Sequence, residues 1–446
     1  MYVGNKTGSG IQNSNRIFRK IMKIFFYIFY NFLFLPVLYV LLRIAGIFNK
    51  KIRTGIIGRK RVYEELILNA TATDKNKKLI WFHSSSLGEF EQAKPIIEHL
   101  KKTKDVNVLV TFFSPSGYLN SKKYPYADLI SYIPFDTKQN ARKFISITNP
   151  AIAIFMRYDL WPNILESLNK KNIPTYLVDA TLRENSPRSF PVSKSLHKII
   201  YNYLDKILTV SIKDAEEFKK FGVPEKKIVV AGDTRFDRVY ERSLLAREKK
   251  LINDNVIENK KIFVAGSTWE QDEEVIFPAF LKLTKFDKNV MMIVAPHEPT
   301  LIHLEKIENE FAGKLKTIRF SHLNNYTDES VIIVDSIGIL LTLYTYADVA
   351  YVGGSFKQNI HNVLEAAVYG TPVLFGPKIE NSQEAIKLSE IGGGIIIKDK
   401  RAAFKNLRKL FSDEDLRKEI GHISSEYVKS NIGATKKILN MIYPAI

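Results

Sequence analysis

Cysteine is absent from all 446 residues. That excludes structural disulfides, thiolate metal sites and a cysteine nucleophile, and it fits a reducing compartment. No P-loop and no G-x-G-x-x-G turn occurs, which removes the main support for an ATPase or a dehydrogenase. Nor does a Cys/His cluster or a closely spaced acidic set suggest a metal. Acid is missing from residues 1–63, which hold 12 Lys and Arg; the first carboxylate is Glu64. The remainder carries 54 bases against 47 acids, so the net charge of +19 sits mostly at one end. A basic end on a nearly balanced body points to an anionic surface, and no nucleic-acid partner is expected.

The sequence around that basic end says which surface. Ile24 to Leu42 reads IFFYIFYNFLFLPVLYVLL, broken only by Asn31 and Pro36. That is about the length needed to cross a bilayer core. Arg43, Lys50, Lys51, Arg53, Arg59, Lys60 and Arg61 follow directly, and such bases are drawn to anionic cytoplasmic lipid. Arg43-Ile44-Ala45-Gly46-Ile47 makes a poor cleavage site, which disfavours a secretory signal. Pro36 and the seven aromatics before it also suit an interfacial helix, so spanning and lying flat both remain open. Residues 1–21 are polar and read as a disordered extension, 22–50 as the membrane-anchoring helix.

Two stretches then repeat one grammar of short apolar run, small-residue turn and amphipathic helix. The first half carries Leu79–His83, Val106–Phe112, Ala151–Met156, Thr175–Val178 and Lys206–Val210; the second carries Lys261–Ala265, Val290–Ala295, Val331–Val334, Val349–Val352 and Pro372–Phe375. Fully apolar runs between helices imply parallel strands buried on both faces. Each half therefore reads as a Rossmann-like doubly wound α/β unit, over 51–240 and 241–446, with the last helix free to pack back on the first. Ligands of such units sit beyond the carboxyl ends of the strands. Two such domains facing a cleft are the architecture called GT-B, an analogy of pattern.

The chemistry-bearing residues fall at those strand ends. His83-Ser84-Ser85-Ser86-Leu87-Gly88-Glu89 closes the first strand, and Glu89 there could take a proton from an attacking hydroxyl. Ser86-x-x-Glu89 also spells a capping box, as does Ser267-x-x-Glu270 after the first strand of the second half, and on spacing alone the cap at Glu89 is the better reading. Gly353-Gly354 lets backbone approach a ligand; His361 and Asn362 then open a helix suited to phosphate, with Glu365 one turn on, placed for ribose hydroxyls. His297 ends another strand, and Ser336-Ile337-Gly338 follows a fourth. This convergence of four strand ends argues for a nucleotide site in the second half.

In the pieces HSSSLGE, SPSGY, IPFD, DLWPN, GDTRFD, AGST, ADVAYVGGS, HNVLEAA and GTPVLFGP, taken in order, the chain resembles the bacterial 3-deoxy-D-manno-octulosonic acid (Kdo) transferases. Those enzymes move Kdo from CMP-Kdo to the lipid A precursor, lipid IVA. The resemblance implies a GT-B fold, an inverting metal-free reaction with no cofactor, and a monotopic position on the cytoplasmic face of the inner membrane. It implies that Glu89 is the base and that Ser267, Thr268, Gly338, Asn362 and Glu365 lie in CMP-binding segments. It places Arg235 close to the donor and Asp159 near the active centre, with Ser86 and Gly88 in the motif of the base. The chain departs from the family pattern in four places. Its ETELWP reads Arg157-Tyr158-Asp159-Leu160-Trp161-Pro162, and the Arg of NARLS falls on Thr181, with Arg183 nearby. The APRH motif becomes Ala295-Pro296-His297, and MGE becomes Ile337-Gly338-Ile339. The rival readings are another membrane-associated GT-B enzyme using a UDP-sugar and a lipid-linked acceptor, and a catalytically silent nucleotide-binding protein. The standing Glu89 weighs against the second.

Overall fold

The computed structural model describes residues 21–70, 73–184, 186–357 and 359–446, so the extension expected over 1–21 lies, but for Ile21, outside them. The chain divides into two units, one formed by residues 1–235 together with 433–446, the other by 236–432. The second begins a few residues ahead of the 240/241 boundary read from the sequence, because Phe236 and Val239 are already buried in its core. The terminal helix Ala434–Ile442 returns to the first, burying Ile438, Leu439 and Ile442 there.

The first unit holds a wholly parallel sheet of β1 (Leu79–Ser84), β2 (Asn107–Phe112), β3 (Leu129–Tyr132), β4 (Ile152–Met156), β5 (Thr175–Ala180), β6 (Lys206–Thr209) and β7 (Ile228–Val230). Their order is β3-β2-β1-β4-β5-β6-β7. The second repeats the plan with β8 (Lys261–Thr268), β9 (Val290–Pro296), β10 (Thr317–Arg319), β11 (Val331–Ile333), β12 (Val349–Val352), β13 (Val373–Phe375) and β14 (Gly394–Ile396), in the order β10-β11-β9-β8-β12-β13-β14. Along β8, Ile262 and Val264 enter one core while Phe263 and Ala265 enter the core on the opposite face. Two apolar faces demand two covering layers, which parallel crossovers through helices supply. The order in which strands are added reverses between β1 and β4 in one sheet and between β8 and β12 in the other, so each has a topological switch point at its carboxyl edge.

Each sheet has two strands more than its five apolar runs. The additional four, β3, β7, β10 and β14, are the four sheet edges. Of these, β7, β10 and β14 are covered less completely and carry half-buried or exposed positions, while β3 is mostly buried but short and interrupted by Ser131, so none reads as a continuous apolar run.

The N-terminal apolar segment forms one helix, Ile21–Phe48. A π-helical stretch at Tyr30–Phe34 leads into Pro36, which has no amide to donate back to that preceding turn. One side buries Phe26, Tyr27, Tyr30 and Leu35 against the first unit, while Phe25, Phe32, Leu33, Val40, Ile47 and Phe48 stay exposed. The buried side is polar where it matters. Tyr30 Oη donates to Asp136 Oδ2 at 2.9 Å, and Tyr27 Oη donates to the Pro162 carbonyl at 3.0 Å. Asn31 Oδ1 accepts from Asn163 Nδ2 at 2.9 Å. Asn31, a flaw in an apolar run by sequence, is thus a docking residue.

Asp136 is fully buried and also accepts the amides of Asn163 and Ile164, each at 2.9 Å. Burial pushes its carboxyl up to about 7 against these donors. Removing one donor from a buried charge costs about 1.5–3 kcal/mol. Tyr30→Phe should therefore lower the urea midpoint of unfolding by a free energy of that order, whereas Phe32→Ser on the exposed side should leave it within about 0.5 kcal/mol.

Candidate active site

The first cluster forms at the switch point between β1 and β4. The β1 strand ends at Ser84, and the helix Leu87–Thr103 starts behind Ser86, whose Oγ accepts the Glu89 amide at 3.4 Å. The Glu89 carboxylate accepts the Ser85 amide at 2.5 Å. A complete capping box would return to the amide of Ser86 itself, so only its serine half is present, and the carboxylate reaches one residue further up the chain. Glu89 is buried. Burial raises its carboxyl above the usual range, the Ser85 amide pulls it down, the Asp159 charge pushes it up, and His83 and Arg157 pull it down.

Asp159 follows β4 and accepts from His83 Nε2 at 2.8 Å; His83 Nδ1 lies 2.9 Å from Thr111 Oγ1 on β2. Burial would raise Asp159, but the hydrogen bond and charge of His83 outweigh it and hold the carboxyl below its ordinary value. Thr111, His83 and Asp159 thus form a chain across three neighbouring strands, and the structure brings Glu89 and Asp159 together at its end. Gly88 sits in the first turn of the same helix, where an added Cβ would meet only the Ser86 Oγ, at 4.0 Å.

Beside it, at the ends of β4 and β5, Arg157 (φ 61°) and Asp179 (φ 50°) both adopt the left-handed conformation. Such backbone costs of order 1 kcal/mol per residue and persists where its surroundings over-determine it. Thr234 Oγ1 donates to Asp179, and Asp233 receives the Arg235 side chain through Nε at 3.0 Å and Nη2 at 2.6 Å. Burial, then the neighbouring Asp233, lifts Asp179 to about 8. Asp233 is buried as well, but Arg235 holds it below the ordinary carboxylate range. Arg235 is therefore committed to a carboxylate of its own unit.

The second unit gathers a different set at the switch point between β8 and β12. The Gly353 amide donates to the Gly266 carbonyl at 2.9 Å, and a Cβ on Gly353 would lie 2.2 Å from the Ser267 carbonyl oxygen. Glycine is thus required by close approach of two turns. Gly354 has φ 100°, and its amide donates to Asp272 Oδ2 at 2.9 Å. The same oxygen accepts the Trp269 amide at 2.9 Å, and Asp272 Oδ1 accepts Tyr351 Oη at 2.6 Å. Above them Trp269, His297 and His361 stack, with ring centroids 4.8 and 4.3 Å apart. Lys357 Nζ lies 3.6 Å from the Trp269 ring centre. Trp269 Nε1 donates to His361 Nε2 at 3.1 Å, which leaves the ring proton on Nδ1. Burial, aided by His297, lowers His361 to about 4, so near neutral pH it is an uncharged imidazole.

Several expectations need correction. The helix near His361 is a single turn, Leu364–Ala367, so His361 and Asn362 do not open a longer one. Asn362 caps locally, accepting the Leu364 amide at 3.2 Å, and its Nδ2 lies 3.4 Å from Glu365 Oε1. His361 turns onto the aromatic stack because its amide is held by the Gly353 carbonyl at 3.1 Å. The Ser267/Glu270 box does not form: Ser267 has φ 52°, Trp269 is the N-cap, and Asp272 returns to it. Thr268 is buried, donating to Glu273 Oε1 at 2.8 Å. Ser336, Ile337 and Gly338 form an exposed turn, with Gly338 at φ 85°. Asp413-Glu414-Asp415, an acidic string passed over in the sequence, begins the helix Glu414–Ser430, with Asp413 accepting the Leu416 amide at 2.9 Å. Among the described residues no group of three or more His, Cys, Asp or Glu is placed to hold a metal.

Residues 60–238 match the family model described as 3-deoxy-D-manno-octulosonic-acid transferase. The 3-deoxy-D-manno-octulosonic acid transferase of Haemophilus influenzae is 25% identical over 86% of this chain and 91% of its own length. That of Rickettsia bellii is 27% identical over 81% and 84%. The chain is thus similar to the Kdo transferases over most of its length. A bifunctional glycosyltransferase/methyltransferase of Fusobacterium nucleatum is 30% identical over 70% of the chain, which spans about half (49%) of that longer protein. The fold itself is that of the UDP-GlcNAc 2-epimerase of Neisseria meningitidis, at a TM-score of 0.58 and 15% identity over 82% of this chain and 100% of the other. A glycosyltransferase of Rickettsia africae follows at 0.52, with 16% identity over 83% and 99%.

Two departures from the Kdo transferase pattern turn out to be neighbours. Arg157 replaces the first Glu of ETELWP, Thr181 replaces the Arg of NARLS, and Arg157 Nη2 lies 3.5 Å from Thr181 Oγ1. Sequence reading missed Thr111, Asp272 and Trp269 as site-building residues. Their only signal was position, one on a strand beside β1 and two in the first turn after β8.

Carboxyl titration by nuclear magnetic resonance tests these electrostatics. Glu89 should titrate above the ordinary glutamate range, Asp159→Asn should lower it by removing a like charge, and Arg157→Gln should raise it further. A Glu89 that ignores both substitutions would contradict the arrangement.

Proposed function

We propose that the protein transfers Kdo from CMP-Kdo to the lipid A precursor lipid IVA, at the cytoplasmic face of the inner membrane. The observation that carries this reading is the carboxylate of Glu89, buried beside Asp159 at the β1 end in a chain similar to the Kdo transferases. Glu89 accepts the proton of a glucosamine hydroxyl on the acceptor. The hydroxyl oxygen forms a bond to the anomeric carbon of Kdo as that carbon's bond to the CMP phosphate oxygen breaks, and the electron pair leaves with CMP. Direct displacement inverts the anomeric centre. A base must be ionised yet basic, and a carboxyl raised by burial is better matched to neutral pH than an exposed one. Asp159 sets that balance while His83 and Thr111 fix its orientation.

The second unit is the donor side in this reading. Backbone amides of the Gly353-Gly354 turn, the Ser267 turn and the neutral Nδ1–H of His361 are donors available to CMP, and Glu365 is an acceptor placed for ribose hydroxyls. Trp269 and its stacked imidazoles offer a flat apolar surface beside them. No step in this mechanism uses a metal or a cofactor. Ser336, Ile337 and Gly338 have the weakest claim of the donor residues, and Arg235 would act through its pairing with Asp233.

The N-terminal helix is read as a monotopic foot. Its buried side is bonded to the first unit, and a helix crossing the hydrocarbon core would have to surrender Tyr27, Tyr30 and Asn31 to lipid, at several kcal/mol each. The exposed apolar side enters the interface instead, with the bases that follow at the anionic headgroups.

Glu89→Gln should lower kcat by at least about 10²-fold, the usual contribution of a general base, while CMP still raises the melting temperature of the variant. Retained turnover would remove Glu89 from the reaction. In the wild-type protein CMP should stabilise more than UDP; the reverse order would favour a UDP-sugar enzyme instead.

A further inference from the structure

A cavity of about 290 Å³ lies where the foot meets the first unit. The helix Ile21–Phe48 contributes Tyr39 and Arg43, and the basic helix Lys50–Lys60 contributes Arg59 and Lys60; Phe113 and Phe135 line the floor. Gly58 lets that second helix press onto the Tyr132 ring, where a Cβ would lie 2.4 Å from Cε2. Three cations thus converge on one pocket, and none of its lining residues is acidic.

What these cations are bonded to is unusual. Arg43 donates only to Tyr39 Oη, at 3.0 and 2.7 Å. Arg59 is half-buried and donates to three carbonyls, of Gly55 at 2.9 Å, Ile133 at 3.2 Å and Phe113, with its guanidinium 4.4 Å from the Phe113 ring centre. No ion pair to Arg43, Arg59 or Lys60 occurs among the described residues. Burial lowers the Arg59 guanidinium to about 10, which Tyr132 and the charge of Asp159 only partly offset, and a charge taken partly out of water with no ion-pair partner is costly. Arg59 still has N–H groups to give, in the planar fork that matches phosphate.

We propose that this cavity is a headgroup site that takes the phosphate of a bilayer phospholipid, with Arg43, Arg59 and Lys60 as its counter-charges. The source of the phosphate follows from the wall. One side of the pocket is the foot helix itself, whose outer face exposes Val37, Val40, Leu41 and Ile44 to whatever holds the acyl chains. The inference rests on that helix being a membrane foot, and the test separates the two ideas.

Binding of the full chain to vesicles of phosphatidylcholine alone reports the foot; the gain on adding phosphatidylglycerol reports the cavity. The double variant Arg43→Gln/Lys60→Gln should lose that gain by about tenfold more than Lys50→Gln/Lys51→Gln, which removes equal charge outside the pocket. Both should bind neutral vesicles as the wild type does, and inorganic phosphate at equal phosphate concentration should not displace the anionic vesicles. Equal losses in the two pairs would mean diffuse attraction and overturn the site. So would an equal loss on neutral vesicles, or displacement by inorganic phosphate. A pocket pair that matches the control on vesicles but raises KM for the lipid acceptor in neutral detergent would give the cavity to the acceptor and overturn it too. Failure of the wild type to bind neutral vesicles would instead sink the membrane foot.

Discussion

A carboxylate taken out of water must be met by donors, and that requirement organises the chemistry of both units. The effective penalty is several kcal/mol per ion, so the chain around each buried acid has little freedom. Asp136 fixes Tyr30 and the start of the helix Pro162–Lys170; Asp159 fixes His83; Asp272 fixes Trp269, Gly354 and Tyr351 at once. All stand beyond the carboxyl ends of strands, where parallel pairing ends and backbone amides become available. Glu89 is the least provided for: among the described residues its carboxylate accepts only the Ser85 amide. Its remaining lone pairs are open to a donor that the protein itself does not supply.

The same economy of donors ties the foot to the active centre. Tyr30 reaches Asp136, Asp136 holds the amides of Asn163 and Ile164, and that helix begins directly after the motif that carries Asp159. Phe113 stacks on Trp161 of that motif at 5.3 Å, while Arg59 covers its other surroundings. The apolar helix is therefore joined to the protein body by hydrogen bonds as well as by burial, in contrast to an anchor linked only through the chain.

Much of the fold was legible because strands buried on both faces must be apolar throughout, and ten such runs were found. The four that escaped are edges, whose half-covered residues, or in β3 the interrupting Ser131, erase the signal. The Glu89 motif was legible as a strand-to-helix turn, but spacing alone could not separate a base from a cap, and the structure shows half a capping box with the carboxylate turned to the Ser85 amide. His361 was misjudged because a helix start was inferred from Asn362 and Glu365, whereas the Gly353 carbonyl and Trp269 turn the ring inward. Asp272 was invisible for a different reason: a carboxylate in a first helical turn is ordinary in sequence, and only burial reveals its three donors. Asn31 and Asn163 lie more than a hundred residues apart, and no local pattern could pair them.

The account's central claim is the identity of the transferred group, and mass spectrometry of the product tests it most directly. Wild-type protein incubated with CMP-Kdo and lipid IVA should add the mass of one or more anhydro-Kdo units to the lipid while releasing CMP. An unchanged lipid mass in that incubation, alongside transfer from a UDP-sugar to a lipid-linked acceptor, would contradict it.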